Sequence, residues 1–198
     1  MSSWLNFSLK TKDLSRSEQN FWAVLLIALL GLTRFNHFGS AIVMPDASWA
    51  VFFMAGFLVQ KKRVFSLLML EAALIDYFAI RQGVSGWCVS SAYVFLVPSY
   101  AALWFAGRCF NQQAKALHWK TFSYFFAWMI LGVTVAFFIS NESFYRLSGK
   151  FNDLPWLDFY QHVSIYYWAY LMTTTCYVGA LTSVVIAVSL LPSRQISL

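Results

Sequence analysis

The residue best suited to a chemical role is Cys88, which lies in a glycine-containing connection between two apolar runs. Gly83 and Gly86 precede it, and glycine allows a loop to press closely against a ligand or a neighbouring helix. A thiolate binds soft and borderline transition metals, and Trp87 and Tyr93 would offer flat apolar surfaces on either side. A cysteine in such a position also suits the role of a small buried hydrophobe, so the loop alone leaves both interpretations open.

The composition is that of an integral membrane protein. Of the 198 residues, 60% are hydrophobic and only 11% are charged, whereas soluble domains carry about 25% charged residues. The net charge of +6 comes from short basic clusters beside apolar segments, which is typical of orientation signals and not of a nucleic-acid interface. Cys88, Cys109 and Cys176 are an odd number of cysteines without metal-type spacing, so no disulfide framework or zinc site is predicted.

The apolar runs predict an all-α fold, in which residues 1–198 form a single transmembrane domain of six helices in one bundle. A capping-box pattern, Ser15-x-x-Glu18, would start the first helix, and Asp46 is expected to cap the second. The predicted spans are residues 17–33, 47–59, 64–80, 92–106, 121–139 and 159–190.

The basic residues favour one orientation of this bundle. With both termini and the second and fourth connections in the cytoplasm, most Lys and Arg residues lie inside, including the dense cluster at 61–63. The connections that hold His37 and Cys88 then lie at the outer face together with the polar segment 140–158. We therefore expect three outer segments to form a ligand cup.

The last helix brings further polar and aromatic groups to this end. Five residues spaced three or four apart share one helical face, namely His162, Tyr166, Tyr170, Thr173 and Tyr177. An interfacial aromatic belt explains residues 166–168 equally well, but Thr173 and Tyr177 lie too deep for it.

Two carboxylates fall within the third helix. Asp76 lies near its outer end and is expected to be a cup residue, held by Arg34 or Arg81. Glu71 lies near the middle, where an ionised carboxylate is costly, so it should face the protein interior as a packing or coupling residue. The two are too far apart around the helix to form a paired acid/base site.

Three motifs of the chain resemble those of a known family. They are Thr33-Arg34-Phe35-x-His37-Phe38-Gly39, then Pro45-Asp46-Ala47-Ser48-Trp49-Ala50-Val51-Phe52-Phe53-x-Ala55-Gly56, and above all Gly83-Val84-Ser85-Gly86-Trp87-Cys88-Val89-Ser90. With these residues the chain resembles the BtuM-type small bacterial cobalamin transporters, solitary relatives of the substrate-binding subunits of energy-coupling factor (ECF) vitamin transporters.

The resemblance implies uptake of cobalamin across the bacterial inner membrane, with the ligand bound at the outer face and Cys88 on the corrin cobalt. It also implies removal of the cyanide ligand from cyanocobalamin through that thiolate. Further candidates for contact with the ligand are Trp87, Tyr93, His37, Phe38, Asp76, Tyr166 and Tyr170.

Partners remain open at this stage. The chain has no nucleotide-binding loop motif, so uphill transport would need an energising partner or trapping of the ligand. Related binding subunits carry an Ala-x-x-x-Ala docking pattern in the first helix, whereas Ala23 and Ala28 are five residues apart. Docking to an ECF-type energising module is therefore one of two alternatives, the other being a protein that acts alone.

Two rival functions follow from the same residues. The first is a membrane enzyme that uses Cys88 as nucleophile and His37 as general base, which requires the two side chains to lie within hydrogen-bond reach. The second is a membrane subunit that binds only other proteins, in which replacement of Cys88 by serine would change nothing measurable.

Overall fold

The computed structural model describes residues 14–34, 45–83, 90–113 and 119–190. Of the described residues 88% are helical and none lies in a strand, which confirms the all-α prediction. Helix α2 continues as a π-helical turn over Ala55–Val59, and a 3₁₀-helix over Ser91–Phe95 precedes α4. The six α-helices of the described residues are α1 (Arg16–Arg34), α2 (Ser48–Met54), α3 (Lys62–Arg81), α4 (Leu96–Gln113), α5 (Trp119–Leu147) and α6 (Trp156–Leu190).

The starts of the first two helices follow from local sequence. The backbone N–H of Ser15 donates to Glu18 Oε2 at 2.7 Å, and the Glu18 N–H donates to Ser15 Oγ at 3.3 Å. The predicted capping box is thereby confirmed. The prediction that Asp46 is the N-cap of the second helix is wrong, because Ala47 holds that position. Asp46 lies one residue before the N-cap and accepts from the Ser48 N–H at 2.9 Å.

The helices around the segment 140–158 are longer than the predicted spans. Helix α5 continues to Leu147, and α6 begins at Trp156. Polar side chains in this part of α5 bond to carbonyls of their own helix, as Asn141 Nδ2 does to the Phe137 oxygen at 2.9 Å. The change to polar residues after position 139 therefore ends the apolar run but does not end helix α5.

Helix α2 lies in the core of the bundle. Every residue from Ser48 to Val59 is buried, and α2 contacts α1, α4 and α6. A helix that is apolar on all sides is covered either by other elements of the protein or by lipid. Here the other helices cover it, so this short second helix is the element on which they pack.

Two glycines allow the backbones of α2 and α4 to touch. A Cβ atom on Gly107 would lie 2.1 Å from the Phe53 carbonyl oxygen, and one on Gly56 would lie 1.9 Å from the Trp104 carbonyl oxygen. The π-helical turn adds a specific bond to this contact, because Asn111 Nδ2 donates to the Phe57 carbonyl at 2.7 Å. The contact is therefore possible only with glycine at both positions.

We expect Gly107→Ala to destabilise the fold by at least about 3 kcal/mol, because the new methyl group would collide with rigid backbone. The matched control is Gly179→Ala in α6, where a Cβ atom would meet no atom within 4 Å. That control should be neutral or gain up to about 1 kcal/mol from helix propensity. Thermal unfolding midpoints in detergent measure both, and equal midpoints for the two variants would refute the described contact.

Two of the described helices are long and apolar enough to cross a membrane, over Thr121–Leu147 and Trp156–Val188. Only 33% and 28% of their most apolar windows are buried inside the protein. Large apolar side chains such as Leu131, Ile165 and Trp168 are exposed on their outward faces. Exposed apolar surface of this kind is typical of contact with lipid or with another protein, so the two helices favour a membrane protein.

Candidate functional site

A cavity of about 660 Å³ lies among the helices, a volume within the usual range for small-molecule sites. Its lining comes from the C-terminal parts of α1, α3 and α5 and from the N-terminal parts of α2, α4 and α6. These helix ends adjoin the connections at residues 35–44, 84–89 and 148–155. The cavity therefore lies at the helix ends from which the chain continues into the three segments that the sequence predicted to form one cup.

A buried ion pair forms part of the cavity lining. Arg34 Nη2 lies 2.6 Å from Asp76 Oδ2, and Arg34 Nε donates to Asp76 Oδ1 at 2.9 Å. The two residues are only 1% and 2% exposed, and the paired geometry gives the guanidinium a bidentate carboxylate partner. The sequence left Arg34 and Arg81 as alternatives for this role, and the structure selects Arg34.

The remaining donors of Arg34 hold the starts of two other helices. Its Nη1 donates to Ser48 Oγ at 2.8 Å and to the Tyr100 hydroxyl oxygen at 2.7 Å. Asp46 Oδ2 lies 3.8 Å from the same nitrogen. One guanidinium thus ties α1 to α2, α3 and α4, and its position is overdetermined by partners from each.

Tyr93 connects this network to the chain segment that carries Cys88. Its hydroxyl donates to Asp76 Oδ2 at 2.6 Å. The Tyr93 N–H donates to the Ser90 carbonyl at 2.9 Å, and Ser90 Oγ accepts from the Ala92 N–H at 3.3 Å. The residues that immediately follow the segment 84–89 are therefore held against the ion pair.

The end of α5 and the start of α6 form an aromatic wall. Phe144, Phe151 and Phe159 line the cavity, and the Phe151 and Phe159 rings meet edge to face with centroids 4.9 Å apart. Glu142, which lies outside the cavity lining, stabilises this wall. Its carboxylate is paired with Arg146 and accepts hydrogen bonds from Trp156 Nε1 at 3.0 Å and the Tyr160 hydroxyl at 3.1 Å.

Helix α6 lines a further side of the cavity with one of its faces. His162, Tyr166 and Tyr170 all contribute to the lining, as their shared helical face predicted. Tyr170 stacks on Trp49 of α2 with ring centroids 4.5 Å apart. Tyr177 lies further along α6, and its hydroxyl donates to the Pro45 carbonyl at 2.7 Å.

The candidate residues of the sequence divide into two groups. Four lie within the described residues, and all four line this cavity: Tyr93, Asp76, Tyr166 and Tyr170. The other four lie outside the described residues: Cys88, Trp87, His37 and Phe38.

The cavity also contains residues that sequence reasoning did not assign to a site, including Trp49 and Tyr100, and residues such as Asn141 and Phe144 that it expected only as part of the segment 140–158. An arginine at the end of an apolar helix, as Arg34 is, was a usable signal for a buried counter-charge nearby. The aromatic residues gave no such signal, because the chain holds aromatics in nearly every segment.

Metal ligation by protein side chains alone has no support in the part of the chain that the structure describes. No group of three or more His, Cys, Asp or Glu residues there could hold a metal ion. Cys109 and Cys176 are free thiols in α4 and α6, and neither lines the cavity.

Neither a scan against protein-family models nor a search of curated proteins finds a match to this chain. Its function is consequently argued from the residues and from the geometry of the cavity.

Proposed function

We propose that this protein takes up cobalamin across the bacterial inner membrane, binding the corrinoid in the cavity with the Cys88 thiolate on cobalt. The observation that carries the proposal is the convergence of Tyr93, Asp76, Tyr166 and Tyr170 on one cavity. All four are residues that the sequence offers for contact with the ligand, and together they bring hydroxyl, carboxylate and aromatic groups to one volume.

The lining suits a large ligand with a flat apolar body and polar edges. Phe144, Phe151, Phe159 and Tyr166 supply aromatic surface, and the hydroxyl of Tyr93 and the amide of Asn141 supply polar groups. A corrin ring has this character, since its macrocycle is apolar and its rim carries amide side chains. Part of so large a ligand would extend from the cavity toward the connections at 35–44 and 84–89.

Cys88 stands five positions before Tyr93 in the chain, so the anchored 3₁₀-helix would deliver it to the cavity. A thiolate is a soft ligand that can occupy an axial position of cobalt. In cyanocobalamin the cobalt–cyanide bond would break as the cobalt–sulfur bond forms, and cyanide would leave with a proton as HCN. The cobalt stays in its trivalent state, so this ligand exchange needs no reductant.

The membrane arrangement that we propose has six spans and cytoplasmic termini. Outward apolar side chains are not confined to α5 and α6, because Val24 and Leu32 of α1 and Leu67 and Leu74 of α3 are exposed as well. The dense basic cluster at 61–63 lies at the start of α3, away from the cavity end, and favours a cytoplasmic side there. Uphill transport would then require an ECF-type energising module or intracellular trapping.

The proposal is tested by mixing detergent-purified protein with cyanocobalamin and recording the visible spectrum of the protein fraction after size exclusion. We expect a bound corrinoid with shifted absorption bands. Cys88→Ala should lose the shift and bind at least about tenfold more weakly, since even partners that only support a metal ligand are worth 10–100-fold in affinity. Cys176→Ala is the matched control, because Cys176 lies on α6 outside the cavity lining, and it should behave as the wild type.

A colourless wild-type fraction would exclude the cobalamin proposal. An unshifted spectrum in a wild type that still retains the corrinoid would remove Cys88 as the cobalt ligand while keeping the cavity as a corrinoid site. After the first outcome, the membrane enzyme with a Cys88 nucleophile becomes the function to test.

A further inference from the structure

The end of the bundle opposite the cavity carries a group of cations from two helices. Lys61, Lys62 and Arg63 stand at the start of α3, and Arg108 lies in the last third of α4. None of these four side chains forms an ion pair with an acidic side chain of the described residues. Cations without such partners attract anions from outside the protein.

Contacts between aromatic rings bring Arg108 and the start of α3 to one place. The Arg108 guanidinium lies over the Trp104 ring, with Cζ 5.3 Å from the ring centroid. The Trp104 ring in turn meets that of Phe65 in α3, with centroids 5.8 Å apart. Because the Phe65 N–H donates to the Lys61 carbonyl at 3.3 Å, Phe65 belongs to the first turn of α3. The cations of both helices therefore flank the same pair of rings.

Hydrogen-bond donors at this place lack acceptors in the described protein. The start of α3 has no side-chain cap, although the first N–H groups of a helix need acceptors and the helix dipole favours an anion there. Trp104 is 5% exposed, and its Nε1 is buried without a hydrogen-bond partner among the described residues. Since buried polar groups are nearly always paired, this unpaired N–H beside Arg108 indicates an acceptor from outside the chain.

The surface next to the cations suits an amphiphile better than a free anion. Phe105 of α4 lies one turn deeper in the bundle than Arg108 and is 56% exposed. In α3 the half-buried Phe65 lies one turn deeper than the exposed Lys62. Residues three positions apart share a helical face, so on each helix a cation is followed by accessible apolar surface. A phospholipid presents its phosphate and its acyl chains in the same order.

We propose that Arg108 and Lys62 hold the phosphate of an anionic phospholipid of the inner leaflet. A headgroup that pairs with Arg108 comes next to the indole under that guanidinium, where one of its oxygens accepts from Trp104 Nε1. The acyl chains lie along Phe65 and Phe105. Basic sites between membrane helices on the cytoplasmic side bind anionic headgroups in this way.

The inference goes beyond cobalamin uptake and rests only on the proposed membrane arrangement, which places this end of the bundle at the cytoplasmic surface. Among the described residues, α3 packs on α1 and on the π-helical turn and makes few contacts with α4. A lipid between their cations would therefore connect two helices that the protein itself hardly joins.

The first test titrates detergent-purified protein with phospholipid, in the absence of corrinoid, and counts bound lipids by native mass spectrometry. We expect the wild type to retain one phosphatidylglycerol in preference to phosphatidylcholine. Arg108→Gln and Lys62→Gln should each lower the affinity for phosphatidylglycerol about fivefold. Arg63→Gln is the matched control and should leave it unchanged, because Arg63 is an exposed cation of the same turn that stands two positions before Phe65 and thus lies on another face.

The second test follows the indole donor in nitrogen–proton correlation spectra of protein with 15N-labelled tryptophan. Trp104→Phe, which keeps an aromatic ring at this position, identifies the Nε1–H signal of Trp104 by its loss. Phosphatidylglycerol should move that signal downfield as the N–H gains an acceptor. Phosphatidylcholine at the same concentration should leave it in place.

Three results would overturn the inference. They are equal retention of the two lipids, equal affinity of Arg108→Gln and Arg63→Gln for phosphatidylglycerol, and an unmoved Trp104 signal in lipid-saturated protein. Full displacement of the lipid by inorganic phosphate would also contradict it, because the anion alone would then be recognised. No corrinoid is present in these measurements, so such a failure would leave the cobalamin proposal standing.

Discussion

Asp76→Asn is expected to destabilise the fold by about 3–5 kcal/mol, the usual cost of removing one partner from a buried ion pair. The variant keeps the shape of the side chain but leaves the Arg34 guanidinium buried without its bidentate carboxylate. Asp46 Oδ2, at 3.8 Å, compensates only in part. The Tyr93 hydroxyl also loses a charged acceptor at 2.6 Å. Thermal unfolding in detergent measures the loss.

The double variant Arg34→Met/Asp76→Leu distinguishes the loss of the whole ion pair from the loss of one of its partners. Apolar replacement of a whole buried pair is often neutral, so we expect the double variant to be more stable than Asp76→Asn, although Ser48 and Tyr100 lose a donor. The matched control is Arg146→Gln, since Arg146 has a side chain 68% exposed and should cost less than about 1 kcal/mol. Equal effects of Asp76→Asn and Arg146→Gln would disprove the buried network.

Val163→Trp is expected to weaken corrinoid binding by about 100-fold, or about 2.7 kcal/mol, because the indole would occupy part of the cavity. Val163 lines the cavity from α6 and is half-buried. Titration of the purified variant with cyanocobalamin, followed by its visible spectrum, gives the affinity. The test depends on the position of the ligand and not on Cys88, so it addresses the cavity independently of the cobalt ligand.

Ile165→Trp is the control for size and helix. Ile165 lies on the same helix, is 66% exposed and faces away from the cavity, and its replacement should leave affinity unchanged. Val163→Trp and Ile165→Trp should have equal unfolding midpoints. A loss of binding in Val163→Trp can then be attributed to a blocked cavity. Equal affinity of Val163→Trp and the wild type would place the ligand elsewhere.

The experiments bear on different parts of one arrangement. The Arg34–Asp76 pair joins the ends and starts of four helices. The Tyr93 hydroxyl bonds to the same Asp76, so the residues that follow the segment 84–89 are attached to this pair. A ligand in the cavity would thus contact helix ends that this ion pair holds in place. A cavity lined by groups that are already ordered loses less conformational entropy when its ligand binds.

The sequence by itself determined those features that depend on nearest neighbours and on periodicity. The Ser15–Glu18 capping box is a bond between residues three apart, and the helical character of the chain follows from long apolar runs. The α6 face of His162, Tyr166 and Tyr170 follows from a repeat near 3.6 residues. Antiparallel alternation of the helices then brings Tyr93 and Asp76 to the same end.

Only the tertiary structure decided how the helices rotate and how closely they approach. It selected Arg34 over Arg81 as the partner of Asp76, stacked Trp49 on Tyr170 and pressed the backbones of α2 and α4 together at Gly56 and Gly107. In an apolar, aromatic-rich chain many helix faces can serve as packing surfaces, so periodicity alone does not choose among them. The choice is made by contacts between residues far apart in sequence, which local patterns do not encode.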